Sequence, residues 1–259
     1  MPRPGAADRE QTLNADHDAQ LRLLDVQGLD SKLDQLAHRR RTLPELAEIT
    51  RVSSSLNDVG DLVVGAETEE SDVLREVAKA ETDVESVRAR SIRDRQRMES
   101  GAVGSAKELE ALQHEVDSLA RRQSALEDVE LEAMERLESV QSHLAELRSR
   151  LETARLDLAE LETRRDEAFA AIDKDAEYIG GERARAATGL PDDLMTLYAK
   201  LRADQGGVGA AALRQGRCEG CRLQLTPIEI GRIRDAPGEE VMRCEECRRI
   251  LVRTPESGL

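Results

Sequence analysis

Four cysteines stand in two pairs, Cys218-Glu-Gly-Cys221 and Cys244-Glu-Glu-Cys247, and the chain has no others. Two residues separate the thiols of each pair, and 22 residues separate the pairs. A CxxC turn brings two sulfurs onto one side of a tight loop. Two such loops facing each other make a tetrahedral S₄ cage suited to Zn²⁺, with sulfur at about 2.3 Å. The gap here is slightly longer than the roughly 15 to 20 residues of the usual zinc spacing. Four thiolates leave no open coordination position, so the expected single Zn²⁺ is structural and activates no water. A redox CxxC opens a helix after a strand in a βαβ unit, and neither pair has that setting. Disulfides need an oxidising compartment, and no signal peptide is visible. Iron accepts the same four thiolates, so ligand type leaves both metals open.

One metal cage cannot organise 259 residues, and the composition says what organises the rest. Phe169, Tyr178 and Tyr198 are the only aromatics, there is no Trp, and 35% of residues are charged. Large globular cores lean on aromatics for buried area. A charged chain rich in Leu, Ala, Glu and Arg with a helical period points instead to a coiled coil. A net charge of −15 argues against wholesale coating of nucleic acid. No apolar run approaches the roughly 18 to 20 residues that span a bilayer. Met-Pro-Arg-Pro-Gly at the start lacks an apolar h-region, so a cytoplasmic protein without membrane insertion is expected.

Along the chain, residues 1–12 are polar and Pro/Gly-bearing and read as a disordered N-terminus. Residues 13–180 read as an antiparallel coiled-coil hairpin. Val26, Leu29, Leu33 and Leu36 take the a/d spacing of a seam. Arg39–Arg41 and Pro44 interrupt it and predict a kink near 41–44, with Thr42 as a cap for the next helix. The seam resumes through Ile49, Val52, Leu56, Val59 and Val63, then Val73, Val77, Ala80, Val84 and Val87. Ser100-Gly101-Ala102-Val103-Gly104-Ser105 is a turn signal and places the tip near 100–105. Ser105 with Glu108 three residues on is a capping box for the returning helix. Leu109, Leu112, Val116 and Leu119 continue the pattern. The steps Leu126, Val129, Ala133, Leu137 contain a stutter. A regular run follows from Leu137 to Leu161. Folding at 101–104 pairs residues whose numbers sum to about 205, so that residue 43 meets roughly 162 and residue 27 roughly 178. A parallel dimer through either arm is the rival arrangement, but a short turn between matched arms favours the hairpin. Gly180-Gly181 reads as the end of the coil. Residues 181–205 read as a connecting helix starting near Pro191, and residues 206–259 as the ribbon. Within the ribbon, Gly206-Gly207-Val208-Gly209 lacks the following Lys-Ser/Thr of a phosphate loop and reads as a flexible lead into a strand, Ala210–Arg214. Thr226-Pro227 caps a short helix. Such a small module needs metal and a flanking helix for stability. The fold class is therefore mainly α: a long antiparallel coiled-coil hairpin followed by a small C-terminal C4 zinc ribbon.

The chain resembles bacterial proteins that join an N-terminal coiled-coil hairpin to a C4-type zinc ribbon. The matching residues are Lys107-Glu108 and His114-Glu115 past the turn, Leu190-Pro191 and Leu197-Tyr198 before the ribbon, and the two cysteine pairs with Arg248-Arg249-Ile250-Leu251. The resemblance covers almost the whole chain. It includes zinc-ribbon adapters associated with flagella and an alternative sigma factor, and their actinobacterial relatives. It implies an adapter in contact with a sigma factor, secretion components or a messenger RNA. Only the four cysteines carry over as functional ligands. The second knuckle of the family usually has Gly after its last Cys. Here Arg248 stands there, and Arg222 follows Cys221; a left-handed backbone would cost a non-glycine residue something at either place.

Three surfaces are candidates for a partner, the least of them the Arg39–Arg41 break, which reads as a solvated kink. The tip carries Arg88, Arg90, Arg93, Arg95, Arg97 and Lys107 against only Asp94 and Glu99. The ribbon carries Arg217, Arg222, Arg248 and Arg249 among others, balanced by acids and thiolates to near neutrality. The bland reading of both is solvated arginine. No Ser, Cys, Lys or acid pair has a base at a recognisable motif spacing, so neither an enzyme nor a small-molecule substrate is expected. Tyr178 and Tyr198 read as packing at the coil–ribbon junction. The functional expectation is a zinc-binding, non-enzymatic adapter or scaffold for a macromolecular partner, a protein in transcription or a secretion-type assembly. The alternative is a regulator that binds RNA or DNA through the ribbon and basic tip.

Overall fold

The computed structural model describes residues 13–259. The disorder expected of residues 1–12 lies outside the described residues. The elements run α1 (His17–Arg41), α2 (Pro44–Glu99), α3 (Ala106–Ala187), α4 (Asp192–Asp204), β1 (Ala210–Arg214), β2 (Arg217–Cys218), α5 (Pro227–Asp235) and β3 (Ile250–Val252). This is the mainly α fold class the sequence predicted, a long helical hairpin with a small C-terminal sheet. Two compact units divide it: Glu45–Thr163, and Met1–Pro44 together with Arg164–Leu259.

In the hairpin unit the seam is narrow. Val52, Val59, Val63, Ala66, Val73, Val77, Ala80 and Val84 are its buried apolar residues on α2, joined by Ser91, and they repeat in heptads. On α3 they are met by Leu119, Leu126, Ala133, Leu144, Leu147 and Leu161. Small side chains oppose large ones: Val63 and Ala66 pack with Leu144 and Leu147, and Val73 and Val77 pack with Ala133. Ion pairs flank the seam, such as Arg148–Glu67 at 2.7 Å and Arg136–Glu76. Exposed pairs of this kind contribute at most about 1 kcal/mol each, so they choose register more than they add stability.

Three expectations are corrected here. Val129 is 51% exposed, because the heptad steps from Leu126 to Ala133 and leaves it on the flank. Leu109 is likewise exposed. Opposite Val77, the layer holds Ala133 and Leu137 and not residue 128. Side chains of each arm lean toward that arm's own N-terminus, which moves every contact toward higher numbers. At the tip, Gly101 takes the left-handed conformation at φ 67°. The Glu108 amide donates to Ser105 Oγ at 3.2 Å, while the Glu108 carboxylate accepts from the Gly104 amide at 3.3 Å. The capping box is thus met with its second half moved by one residue.

The other unit is a head built on the ribbon sheet, whose strand order is β2-β1-β3. β1 runs antiparallel to β2 and parallel to β3. Ala19, Leu23 and Val26 of α1, Leu194, Tyr198 and Leu201 of α4, and Ala210, Ile250 and Val252 of the sheet share one core. The N-terminal helix therefore helps to bury the ribbon, alongside α4. Residues 13–15 are not coil but pair with the ribbon: Val241 donates to the Leu13 carbonyl at 2.9 Å and Ala15 to that of Glu239 at 2.8 Å.

Polar groups on α1 tie the head together. The Gln27 amide oxygen accepts from the Gly209 and Ala210 amides at 2.7 and 3.3 Å, and its nitrogen donates to the Gly207 carbonyl at 3.0 Å. Gln20 donates to the Ala15 and Gly238 carbonyls at 2.9 and 3.2 Å. Asp30, 6% exposed, accepts from the Tyr198 hydroxyl at 2.7 Å and from Arg183 at 3.1 Å. Burial, then the Asp30 carboxylate, push the Tyr198 hydroxyl pKa well above its ordinary value. The glycine run after α4 is pinned in place by Gln27. A Cβ on Gly209 would lie 2.6 Å from the Tyr198 carbonyl oxygen, so the close approach of β1 to α4 requires glycine there.

Gly180-Gly181 does not end α3, which continues to Ala187 and turns at Gly189, φ 76°. Two glycines cost a helix about 2 kcal/mol. Beyond them, Arg183 binds Asp30, and the Ala186 carbonyl accepts from Arg22 at 3.0 Å. The helix is held by those contacts, and the connecting helix begins only at Asp192. Tyr178 is 68% exposed and does not pack the junction; it lies six residues past the buried Ile172, well off that face. Thr42 turns its hydroxyl back to the His38 carbonyl at 3.0 Å and does not cap α2. Arg40 pairs with Asp173 at 3.0 Å and lies over Phe169 at 4.0 Å. Removing Asp30 takes the carboxylate from Arg183, and leaves Arg202, 3.7 Å from Asp30, to Asp34 alone. We expect Asp30→Ala to destabilise the head by about 3 kcal/mol and Tyr198→Phe by about 1 kcal/mol, read from urea unfolding at saturating zinc.

Candidate metal centre

Each cysteine pair forms a knuckle, and the two repeat one backbone plan. The Cys218 amide donates to the Leu223 carbonyl at 3.0 Å and the Cys244 amide to that of Arg249 at 3.0 Å. Arg222 returns its amide to the Cys218 carbonyl at 2.7 Å, and Arg248 to that of Cys244 at 2.9 Å. Arg222 and Arg248 both take φ 62°, the left-handed turn where glycine is usual. The knuckles therefore keep their shape without glycine, at a cost of about 1–2 kcal/mol per residue.

All four Sγ atoms lie within 4.8 Å of one another. Cys218 to Cys247 and Cys221 to Cys244 are each 3.9 Å. Sulfurs about 2.3 Å from a central ion stand about 3.8 Å apart in a regular tetrahedron, so the cage fits zinc. A disulfide would need about 2.05 Å. Cys218 and Cys244 are buried and Cys221 and Cys247 half-buried. Burial pushes the Cys218 and Cys244 thiols up, and backbone amides of their own knuckles partly offset it: Gly220 and Cys221 for Cys218, Glu246 and Cys247 for Cys244. Burial also opposes ionisation of Cys247, but the Arg249 backbone and side chain and the neighbouring thiols outweigh it and bring the group down to about 7. These donors are ready-made stabilisers for thiolate ligands.

The other arginines singled out from the sequence have different fates. Arg249 donates to the carbonyls of Val208 and Gln205, each at 2.8 Å, and is committed to the fold beside the cage. Arg217 pairs with Glu219 at 2.8 Å. Arg222 and Arg248 are exposed. At the tip, Arg88, Arg90 and Arg97 pair with Glu127, Glu115 and Glu108, while Arg93, Arg95 and Lys107 are exposed. Arg253, counted in the sequence only among the ribbon's arginines, gathers the carbonyls of Ile233, Ala236, Pro237, Gly238 and Glu240. Gln20, Gln27 and Asp30 were also missed. Their one visible signal is that polar residues fall at positions 20 and 27, a heptad apart, flanking the apolar Leu23 and Val26.

Residues 26–206 match the CT398-like coiled coil hairpin domain, which is more than half of the chain. The chain belongs to the CT398-like hairpin family. Residues 217–251 match the C4-type zinc ribbon domain, so this family member carries one structural Zn²⁺ on Cys218, Cys221, Cys244 and Cys247. A solved structure from Mycobacterium smegmatis is 34% identical, with a TM-score of 0.82 over 93% of this chain and 100% of that one. CT398 from Chlamydia trachomatis shares the fold, with a TM-score of 0.69 at 20% identity over 92% of this chain and 98% of that one. An uncharacterized Mycobacterium tuberculosis protein is 39% identical over 88 residues, a stretch spanning 34% of this chain and 36% of that protein. Neither matched domain is described as catalytic. No helix among the described residues is long and apolar enough to cross a membrane.

Two measurements check the cage. Chelation, or Cys244→Ser, is expected to release one zinc per chain and melt the sheet while most of the helical signal at 222 nm persists. Arg222→Gly is expected to keep zinc and stabilise the head by about 0.5–1 kcal/mol. Arg222→Val should lose at least about 1 kcal/mol, because a β-branched residue resists the left-handed turn; equal thermal midpoints for the two variants would contradict the strain.

Proposed function

We propose that this zinc-binding, scaffold-like protein is a non-enzymatic adapter for a protein partner. The observation that carries this reading is the closed four-thiolate cage inside a head whose core is shared with α1 and α4. A cage without an open position supplies rigidity, not a reactive ligand site. The helical hairpin offers length and surface and little enclosed volume. The assemblies such an adapter would serve are of the transcription or secretion type that the family resemblance suggests.

Arginine use supports a protein partner over a nucleic acid. Arg249 and Arg253 satisfy backbone carbonyls inside the head, which leaves the ribbon fewer cations for phosphate than its composition suggests. In-cell crosslinking with identification of bound proteins and nucleic acids tests the reading. Protein adducts that survive raised salt are expected. Recovery of RNA or DNA instead, with steep salt dependence and loss on neutralising Arg222 and Arg248, would replace the adapter with a nucleic-acid regulator.

A further inference from the structure

The hairpin seam has two flanks, and one of them shows an apolar face with nothing on it. Glu67, Leu74, Glu81 and Arg88 stand seven residues apart on α2, in one row along the helix. Glu127, Met134, Gln141 and Arg148 form a row of the same step on α3. The ends of the rows are bonded to each other, Arg148 to Glu67 at 2.7 Å and Arg88 to Glu127 at 3.2 Å, so the rows run side by side. Between these ion pairs Leu74 and Met134 are 46% and 49% exposed. Each follows a seam residue, Val73 or Ala133, and those two pack together. Leu131, three residues before Met134 and so on the same face of α3, is 58% exposed.

This section of the hairpin also carries most of the chain's charge. Residues 67–88 and 127–148, both arms together, hold 15 acids and five cations, a net charge of −10 out of −15. Four of the cations are taken by acids of the same section: Arg75 by Asp72, Arg88 by Glu127, Arg136 by Glu76 and Arg148 by Glu67. Lys79 makes no ion pair among the described residues, but it stands five residues past Leu74, about 140° around α2. The other 11 acids make no ion pair among the described residues. Three of them lie on the apolar face and are exposed: Glu81 in the α2 row, Glu85 four residues on, and Glu138 four residues past Met134.

The charge decides what can cover the face. A second copy would set acid against acid, and nucleic acid or an anionic membrane is repelled in the same way. A metal ion or a polyamine gains nothing from leucine and methionine. A protein surface with Lys or Arg beside apolar side chains answers both halves of the face. We propose that the flank of the hairpin marked by Leu74, Leu131 and Met134 docks a basic segment of a partner protein that also bears apolar side chains, with Glu81, Glu85 and Glu138 meeting its cations. This assignment rests on the adapter reading and names the class of partner at one of its surfaces.

The test uses the full, zinc-loaded chain and two labelled peptides of equal length and charge, one alternating Lys with Leu and one alternating Lys with Ser. Fluorescence anisotropy at about 0.15 M salt is the readout. The Lys/Leu peptide is expected to bind about tenfold tighter than the Lys/Ser peptide. L74S/L131S/M134S should remove that preference, and E81K/E85K/E138K should weaken the Lys/Leu peptide by about tenfold or more, with helical signal and zinc content unchanged. D83K/E132K/E146K makes the same change of net charge away from this face and should alter binding by less than about threefold. Equal losses in the two charge variants would overturn the assignment, since attraction to an acidic rod would then explain the binding. A Lys/Leu preference that survives L74S/L131S/M134S would overturn it too. If either happens while cells still yield protein adducts that survive raised salt, the adapter reading stands and only the flank assignment falls. If the wild-type chain yields no such adducts, the adapter reading falls and this assignment with it.

Discussion

Holding four sulfurs within 4.8 Å of one another is the constraint on which the head depends. Without an ion, their ionised forms would repel; with one Zn²⁺, the cage still carries two negative charges in excess. The fold answers with donors. Amides of Gly220, Cys221, Glu246 and Cys247 face sulfur, and Arg249 adds a full charge beside Cys247. The knuckles that present these amides close with Arg222 and Arg248 at φ 62°, each returning its own amide to the carbonyl of the first cysteine. The strain of those two turns is small against the roughly 10 kcal/mol or more that a structural zinc site contributes.

Metal alone does not finish the head. Three strands of five, two and three residues cannot bury a core of their own. Leu23, Val26, Leu194 and Tyr198 provide it from α1 and α4. Those helices bring polar side chains with them, and Gln27 replaces backbone partners that the short β1 lacks at its start. A side-chain amide offers one donor face and one acceptor face, so a single glutamine can extend a strand that has run out of neighbours. The N-terminal helix is in this sense the missing element of the sheet.

What the sequence disclosed follows from how each interaction is encoded. Cysteine spacing and the heptads are local, periodic signals, and the zinc cage and helical hairpin were legible from them. Contacts between segments far apart in the chain are not periodic. Nothing near Gly180-Gly181 announces that Arg183 will meet Asp30, a contact that carries α3 past two glycines. Nothing near Arg253 announces five carbonyls from the 233–240 segment. Val129 illustrates the converse, because a helical rhythm admits a three- or a four-residue step and only the opposing arm decides which one is buried. Tyr178 failed as a predictor for the same reason: an aromatic is buried by the surface it meets, not by its own area.

Arginine is the residue whose meaning changed most. Read as a count, the arginines of the ribbon and the tip form two similar basic patches. In the structure they do different work. Arg249 and Arg253 have guanidinium groups that fan into backbone carbonyls, a use suited to a planar donor with five N–H groups. Such arginines are spent as structural cross-links where the sheet is too small to satisfy its own loops. Those at the tip sit on a hairpin whose backbone is already satisfied by its helices, so they have no carbonyls to serve. Three of them find carboxylates across the seam; Arg93 and Arg95 are exposed. Net charge by composition treats all of them alike, whereas Arg249 and Arg253 are committed to the fold and Arg93, Arg95 and Arg222 are exposed.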